Sequence, residues 1–191
     1  MKNNLEQLAY EWITAEADKT DIESAFYCRT RDIFEARSGR MFNELVKNEK
    51  FGSNSYVIMA AVGEIGNNSF DHNIGSWSDV PGTFFGYEFE KGELLIVMAD
   101  RGQGILKTLK KVKPELKNDA EALKTAFTEK ISGRAPENRG NGLKFVKKNV
   151  EEEKMHLTFL SGNAQAELNE RMVITEKDKN LRGCLVILKV K

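Results

Sequence analysis

Residues 62–75 read VGEIGNNSFDHNIG and follow an apolar run from Tyr56 to Val62. The spacing predicts a helix from about Ser55 to Asp71, capped by Ser53 or Asn54, whose first half is apolar all round and therefore buried. Its second half places Glu64, Asn67, Asn68, Asp71 and His72 within nine positions. Polar groups on a covered helix need hydrogen-bond partners, so this stretch calls for a ligand, a metal or other side chains to meet it.

The flanking segments place that helix in an α+β chain. Upstream, Ile33, Phe34, Met41, Phe42, Leu45 and Val46 recur at near-helical spacing between Asp32 and Lys47, so residues 1–52 form a helical leader. Downstream, TFFGYEFEKGELLIVMAD (83–100) is a hairpin turning at Glu90-Lys91-Gly92-Glu93. Residues 101–142 are polar and Lys-rich between glycine clusters, a long mobile segment with one helix at Asp119 to Lys130. NGLKFVKKNVEEE (141–153) is an amphipathic helix with Leu143, Val146 and Val150 on one face. MHLTFLSG, RMVITEK and GCLVILKV supply three more strands. Helices, two strands, a long loop, a helix and three strands predict an α+β sandwich with a largely antiparallel sheet.

Composition narrows the function classes. The 191 residues carry 29 Lys+Arg against 29 Asp+Glu, so no net field draws the chain to nucleic acid or to an anionic membrane. Cys28 and Cys184 are far apart and His72 and His156 are not at ligand spacing, which excludes a zinc motif and a disulfide framework. No stretch reaches the roughly 20 apolar residues that span a bilayer. The expected setting is the cytoplasm.

Three short motifs carry chemistry. Glu64 and Asn68 are one helical turn apart and share a face: a carboxylate there can act as a base toward water, and an amide oxygen can take one position of an octahedral Mg2+. The same pair also suits a polar stripe on a half-exposed helix. Asp100-x-Gly102-x-Gly104 follows the apolar run LLIVMA; its carboxylate can accept from an exocyclic amine while the glycines let backbone pass a flat ligand, or the motif is an ordinary turn. Gly140-Asn141-Gly142 opens a helix whose N–H groups and dipole favour an anion, or it is a flexible helix start. The conjunction of the three, 32 and then 40 positions apart, is the signal. No GxxxxGK[ST] run exists, and neither glycine pair extends to a third glycine of a dinucleotide fingerprint.

EIGNNSFDHNIG, DRGQG and RGNGLKFVKKNV resemble the N box and the two glycine boxes of the GHKL superfamily of gyrase, the ninety-kilodalton heat-shock protein, histidine kinases and the mismatch-repair protein MutL. The resemblance covers about residues 53–190. It implies a Bergerat fold: a two-layer α/β sandwich with a mostly antiparallel mixed sheet covered by helices on one face, here preceded by the helical leader. It also implies ATP and Mg2+ as cofactors. Glu64 would position or activate the nucleophile, Asn68 would bind Mg2+, and Asp100 would read the adenine amine. Gly102, Gly104 and Ile105 would shape the base pocket. Arg139, Gly140, Gly142 and Leu143 would meet the phosphates, and Asp71 and His72 the ribose or phosphate side. Residues 105–139 would be the ATP lid; Lys107, Lys110, Lys111 and Lys113 within it read equally well as a solvated face.

Neither histidine lies in a helix pair of the phosphoacceptor kind, and no transducer domain follows the last strand, so the expectation is a stand-alone ATP-binding domain with slow hydrolysis. Two alternatives share the pocket: a protein serine kinase similar to the anti-sigma kinases, and a non-catalytic module whose binding to a protein partner is gated by ATP. The leader stripe of Phe34, Met41 and Phe42 serves either as a dimerisation or partner surface, giving a homodimer, or as a face packed on its own domain.

Overall fold

The computed structural model describes residues 4–131 and 142–191. The elements run α1 (Leu5–Thr14), β1 (Tyr27–Cys28), α2 (Arg31–Lys47), α3 (Ser55–Asn73), β2 (Thr83–Glu90), β3 (Glu93–Asp100), α4 (Gly104–Leu109), α5 (Asp119–Thr128), α6 (Gly142–Glu152), β4 (His156–Leu168) and β5 (Met172–Val190). The five strands form one sheet in the order β1-β2-β3-β5-β4, and every described pairing is antiparallel. The chain is thus α+β, but its sheet is not mixed.

The β2–β3 turn is the one expected. Lys91 and Gly92 have φ of 51° and 77°, the pair of positive values that a two-residue hairpin loop takes when its twist matches the strands. Beyond it, side chains alternate. Leu94, Ile96 and Met98 enter the main core with α2, α3 and α6, while Val97 and Ala99 point to the other face.

That second face carries a helix, contrary to the expectation that helices cover one face only. Leu5, Ala9, Trp12 and Ile13 line one side of α1 and pack on Tyr27, Phe84, Val97, Ala99 and Leu185. The cause is visible along the strands: with Val97, Ala99 and Leu185 apolar on the outer face as well, the sheet would expose a large apolar patch unless a helix closed it.

On the main face α2 lies against α3. Phe34 and Met41 are buried there, so this part of the leader stripe packs on its own domain. Gly66 makes the close approach possible, because a Cβ at that position would lie 2.0 Å from Phe34 Cζ. The first half of α3 is not buried all round: Tyr56 is 73% exposed and meets Phe42 edge-on at 5.1 Å, whereas Ile58, Ala61, Val62 and Ile65 are buried.

Two further differences concern strands and loops. RMVITEK and GCLVILKV belong to one strand, β5, which stays extended through the exposed polar run 177–180. Its partner β4 carries register shifts at Ser161/Gly162 and Gly162/Ala164. These bend the hairpin back until His156 Nε2 lies 2.7 Å from Glu167 Oε2, and Ala164, Ala166 and Leu168 join the core. Between β3 and α6 the described residues hold two helices where the periodicity marked one. Leu109, Leu116 and Ala122 form a small cluster there, and Leu123 and Phe127 reach the main core.

Candidate functional site

The polar half of α3, the end of β3, α4 and the start of α6 enclose a cavity of about 510 Å³, a size typical of small-molecule sites. Glu64, Asn68, Asp71, His72, Asp100, Gly104, Ile105, Gly142 and Leu143 all line it. Gly102 supports the wall without lining it, and Arg139 and Gly140 lie outside the described residues.

Asp100 is the most heavily constrained group. It is 3% exposed, and its carboxylate accepts from Ser69 Oγ (3.0 Å), Asn73 Nδ2 (3.2 Å) and the Gly102 N–H (2.9 Å). Burial pushes its carboxyl up to about 6; the hydrogen bonds from Gly102, Ser69, Asn73 and the Cys184 backbone hold it from rising further. The group is therefore mainly ionised at neutral pH, a desolvated acceptor facing the cavity wall.

Asn73 ties the helix to the loop that follows Asp100. Its Nδ2 also donates to the Ser69 carbonyl (2.8 Å), and its Oδ1 accepts the Gln103 N–H (3.0 Å). A Cβ on Gly102 would fall 2.0 Å from Asn73 Nδ2, so the loop can wrap this amide only because residue 102 has no side chain. At the next turn, the Ile105 N–H donates to Ser161 Oγ (2.9 Å), anchoring α4 to β4. Met98, Ile105, Leu109, Phe159 and Val186 supply apolar walls around Asp100.

The other end of the cavity is open. Glu64 is exposed, and a Cβ on Gly142 would lie 2.5 Å from Glu64 Oε2 and 3.4 Å from Asn68 Nδ2. The N-terminus of α6 thus abuts the Glu64–Asn68 face. Asn67 is a lining residue of the same cavity, and its Oδ1 is a buried acceptor with no hydrogen-bond partner among the described residues.

Several contributors have no motif of their own. Ser69 and Asn73 are four apart on the face that meets Asp100, a spacing readable once the helix was placed. Arg31, which lines the cavity and pairs with Asp71, comes from the segment read as a leader and carries no sequence signal. Among the described residues no group of three or more His, Cys, Asp or Glu is arranged to hold a metal by itself. A Mg2+ at Asn68 would take its remaining ligands from phosphate and water, the usual habit of that ion. No helix of the described residues is long and apolar enough to cross a membrane. No family model matches the chain, and neither does any curated protein.

Proposed function

We propose that the chain is a Mg2+-dependent ATP-binding protein of the GHKL type that hydrolyses ATP slowly. The observation that supports this reading is the convergence of Glu64, Asn68 and Asp100 on one cavity, with the carboxylate of Asp100 buried and that of Glu64 exposed. Along α3, Glu64 precedes the Ser69–Asn73 pair by five to nine residues, about 8–13 Å at 1.5 Å per residue. A nucleotide lying along the helix then has its base at Asp100 and its phosphates at Glu64, Asn68 and the α6 N-terminus.

In this reading Asp100 accepts the exocyclic amine of the base, and the apolar walls receive the ring faces. Mg2+ would supply charge neutralisation at the phosphates, with Asn68 as its protein ligand. Glu64 orients a water toward the γ-phosphate and takes its proton; a positioned base contributes about 10²–10⁴-fold. The two buried free thiols, Cys28 and Cys184, suit a reducing cytoplasm.

The test is calorimetric titration with a non-hydrolysable ATP analogue, with and without Mg2+, on wild type, Asn68→Ala and Asp100→Asn. Micromolar binding that needs Mg2+ and Asn68 and is lost in Asp100→Asn is the expected result. Folded wild-type protein that binds nothing would sink the proposal.

A further inference from the structure

We infer that Arg31, in the first turn of α2, is a phosphate-binding residue of this cavity, oriented by Asp71, so that the helical leader completes the site. The inference rests on the nucleotide reading above and adds to it a residue outside the three motifs.

The starting point is charge. Among the described residues that line the cavity, Glu64, Asp71 and Asp100 are carboxylates, and Arg31 is the one Lys or Arg. A ligand carrying a polyphosphate enters a cavity of that charge only if cations offset both the ligand and the walls. A divalent ion on Asn68 offsets part of this, and Arg31 is the fixed cation among the described lining residues.

Geometry gives the guanidinium a place and a direction. Arg31 Nη2 is ion-paired with Asp71 Oδ1, and Arg31 Cζ stands 5.8 Å from the centroid of the Phe70 ring. Asp71 is three residues beyond Asn68, so the two share a face of α3 with Cβ atoms about 5–6 Å apart. Arg31 is therefore held within one helical turn of the residue assigned to the metal.

The Arg31 side chain is 38% exposed and that of Asp71 17%, so Arg31 is the more accessible member of the pair. A guanidinium has five N–H donors in a rigid fork, which lets one edge stay on Asp71 while the other meets a phosphate. No rearrangement of α2 is needed. Asp71 is the positioning residue, and Arg31 the one that touches ligand.

The experiment measures ATP and adenosine affinity, with Mg2+, for wild type, Arg31→Ala and Arg31→Lys, together with the ligand-free Tm of each. The expected result is a ten- to hundredfold loss of ATP affinity in Arg31→Ala, the size of a lost charge-assisted hydrogen bond. Adenosine affinity and Tm should stay at wild-type values, with part of the ATP affinity recovered in Arg31→Lys. Equal ATP affinity in Arg31→Ala overturns the assignment alone. A loss shared by adenosine, or a fall in ligand-free Tm that accounts for it, also overturns it by making Arg31 structural. Failure of wild type to bind ATP removes the nucleotide reading itself and this inference with it.

Discussion

Asp100 and Arg101 are consecutive at the end of β3, yet they are buried on opposite faces of the sheet. Asp100 meets Ser69 and Asn73 of α3 at 3.0 and 3.2 Å. Arg101, 0% exposed, donates to the Trp12, Ile13 and Ala15 carbonyls at the end of α1 at 2.7, 2.9 and 2.7 Å. Strand alternation sends the two side chains apart. The last turn of α1 has no basic residue of its own, so Arg101 supplies from across the fold the positive charge that a helix C-terminus favours. Its Nε and Nη2 also form a fork on Asp79 at 2.9 and 2.6 Å.

Arg101→Met should therefore destabilise the protein by about 3–5 kcal/mol, because Asp79 and three carbonyls lose a buried partner together. Urea unfolding measures it. A loss under about 1 kcal/mol would mean that water replaces the guanidinium and that the clamp does not hold α1 to the sheet.

Nucleotide affinity should follow the ionisation of Asp100. Burial raises its carboxyl to about 6, and an amine donor on the ligand requires the ionised form. Affinity should thus be level above pH 6 and fall about tenfold per pH unit well below it. The stability term has the opposite sense: with a folded value above the unfolded one, the neutral carboxyl favours the folded state at low pH. That contribution is lost as pH rises through about 6. Affinity titrations between about pH 5 and about pH 7.5 check the first statement, and melting of wild type against Asp100→Asn over the same range checks the second. A flat affinity profile would separate Asp100 from ligand recognition.

Gly102→Ala and Gly142→Ala should behave differently: Gly142 lines the cavity, whereas Gly102 supports its wall. The first drives a methyl into the buried Asn73 amide at 2.0 Å, so it should cost about 1–3 kcal/mol of stability and weaken binding by displacing Asp100's partners. The second meets the end of the exposed Glu64 side chain at 2.5 Å, which can swing away. Its Tm should change little while turnover drops. Tm and steady-state phosphate release on both variants distinguish these outcomes; equal effects would remove the separate roles given to the two ends of the cavity.

Glu64→Ala should abolish phosphate release and leave affinity for the non-hydrolysable analogue within about threefold, because the group is exposed and, in the proposed function, acts on water rather than on binding. Turnover equal to wild type would remove Glu64 from its role.

Gly66→Ala places a Cβ 2.0 Å from the ring of Phe34, which is itself edge-on to Phe85 at 5.3 Å. The expected cost is about 1–3 kcal/mol, and Phe34→Leu in the same chain should recover part of it by making room. Additive losses in the double mutant would show that the α2–α3 contact does not run through this pair.

Patterns set by neighbours in the chain were legible beforehand. A hairpin turning at Glu90-Lys91-Gly92-Glu93, with positive φ at Gly92, follows from a turn between apolar runs, and the one-turn spacing of Glu64 and Asn68 and helices over about 32–47, 119–130 and 143–150 follow from periodicity. Of the motif residues, Glu64, Asn68, Asp100, Gly104 and Gly142 line one cavity. What tertiary structure alone decided are the pairings between distant residues. Arg31 meets Asp71 across 40 positions and Arg101 meets Trp12 across 89, and neither arginine differs in sequence from one on a solvated surface. The same holds for α1 on the outer face and for the unbroken path of β5 through a polar run. Local spacing is imposed by the geometry of a helix turn or a strand pleat, whereas the choice of partner is made when apolar faces close and each buried charge must find the group that packing brings to it.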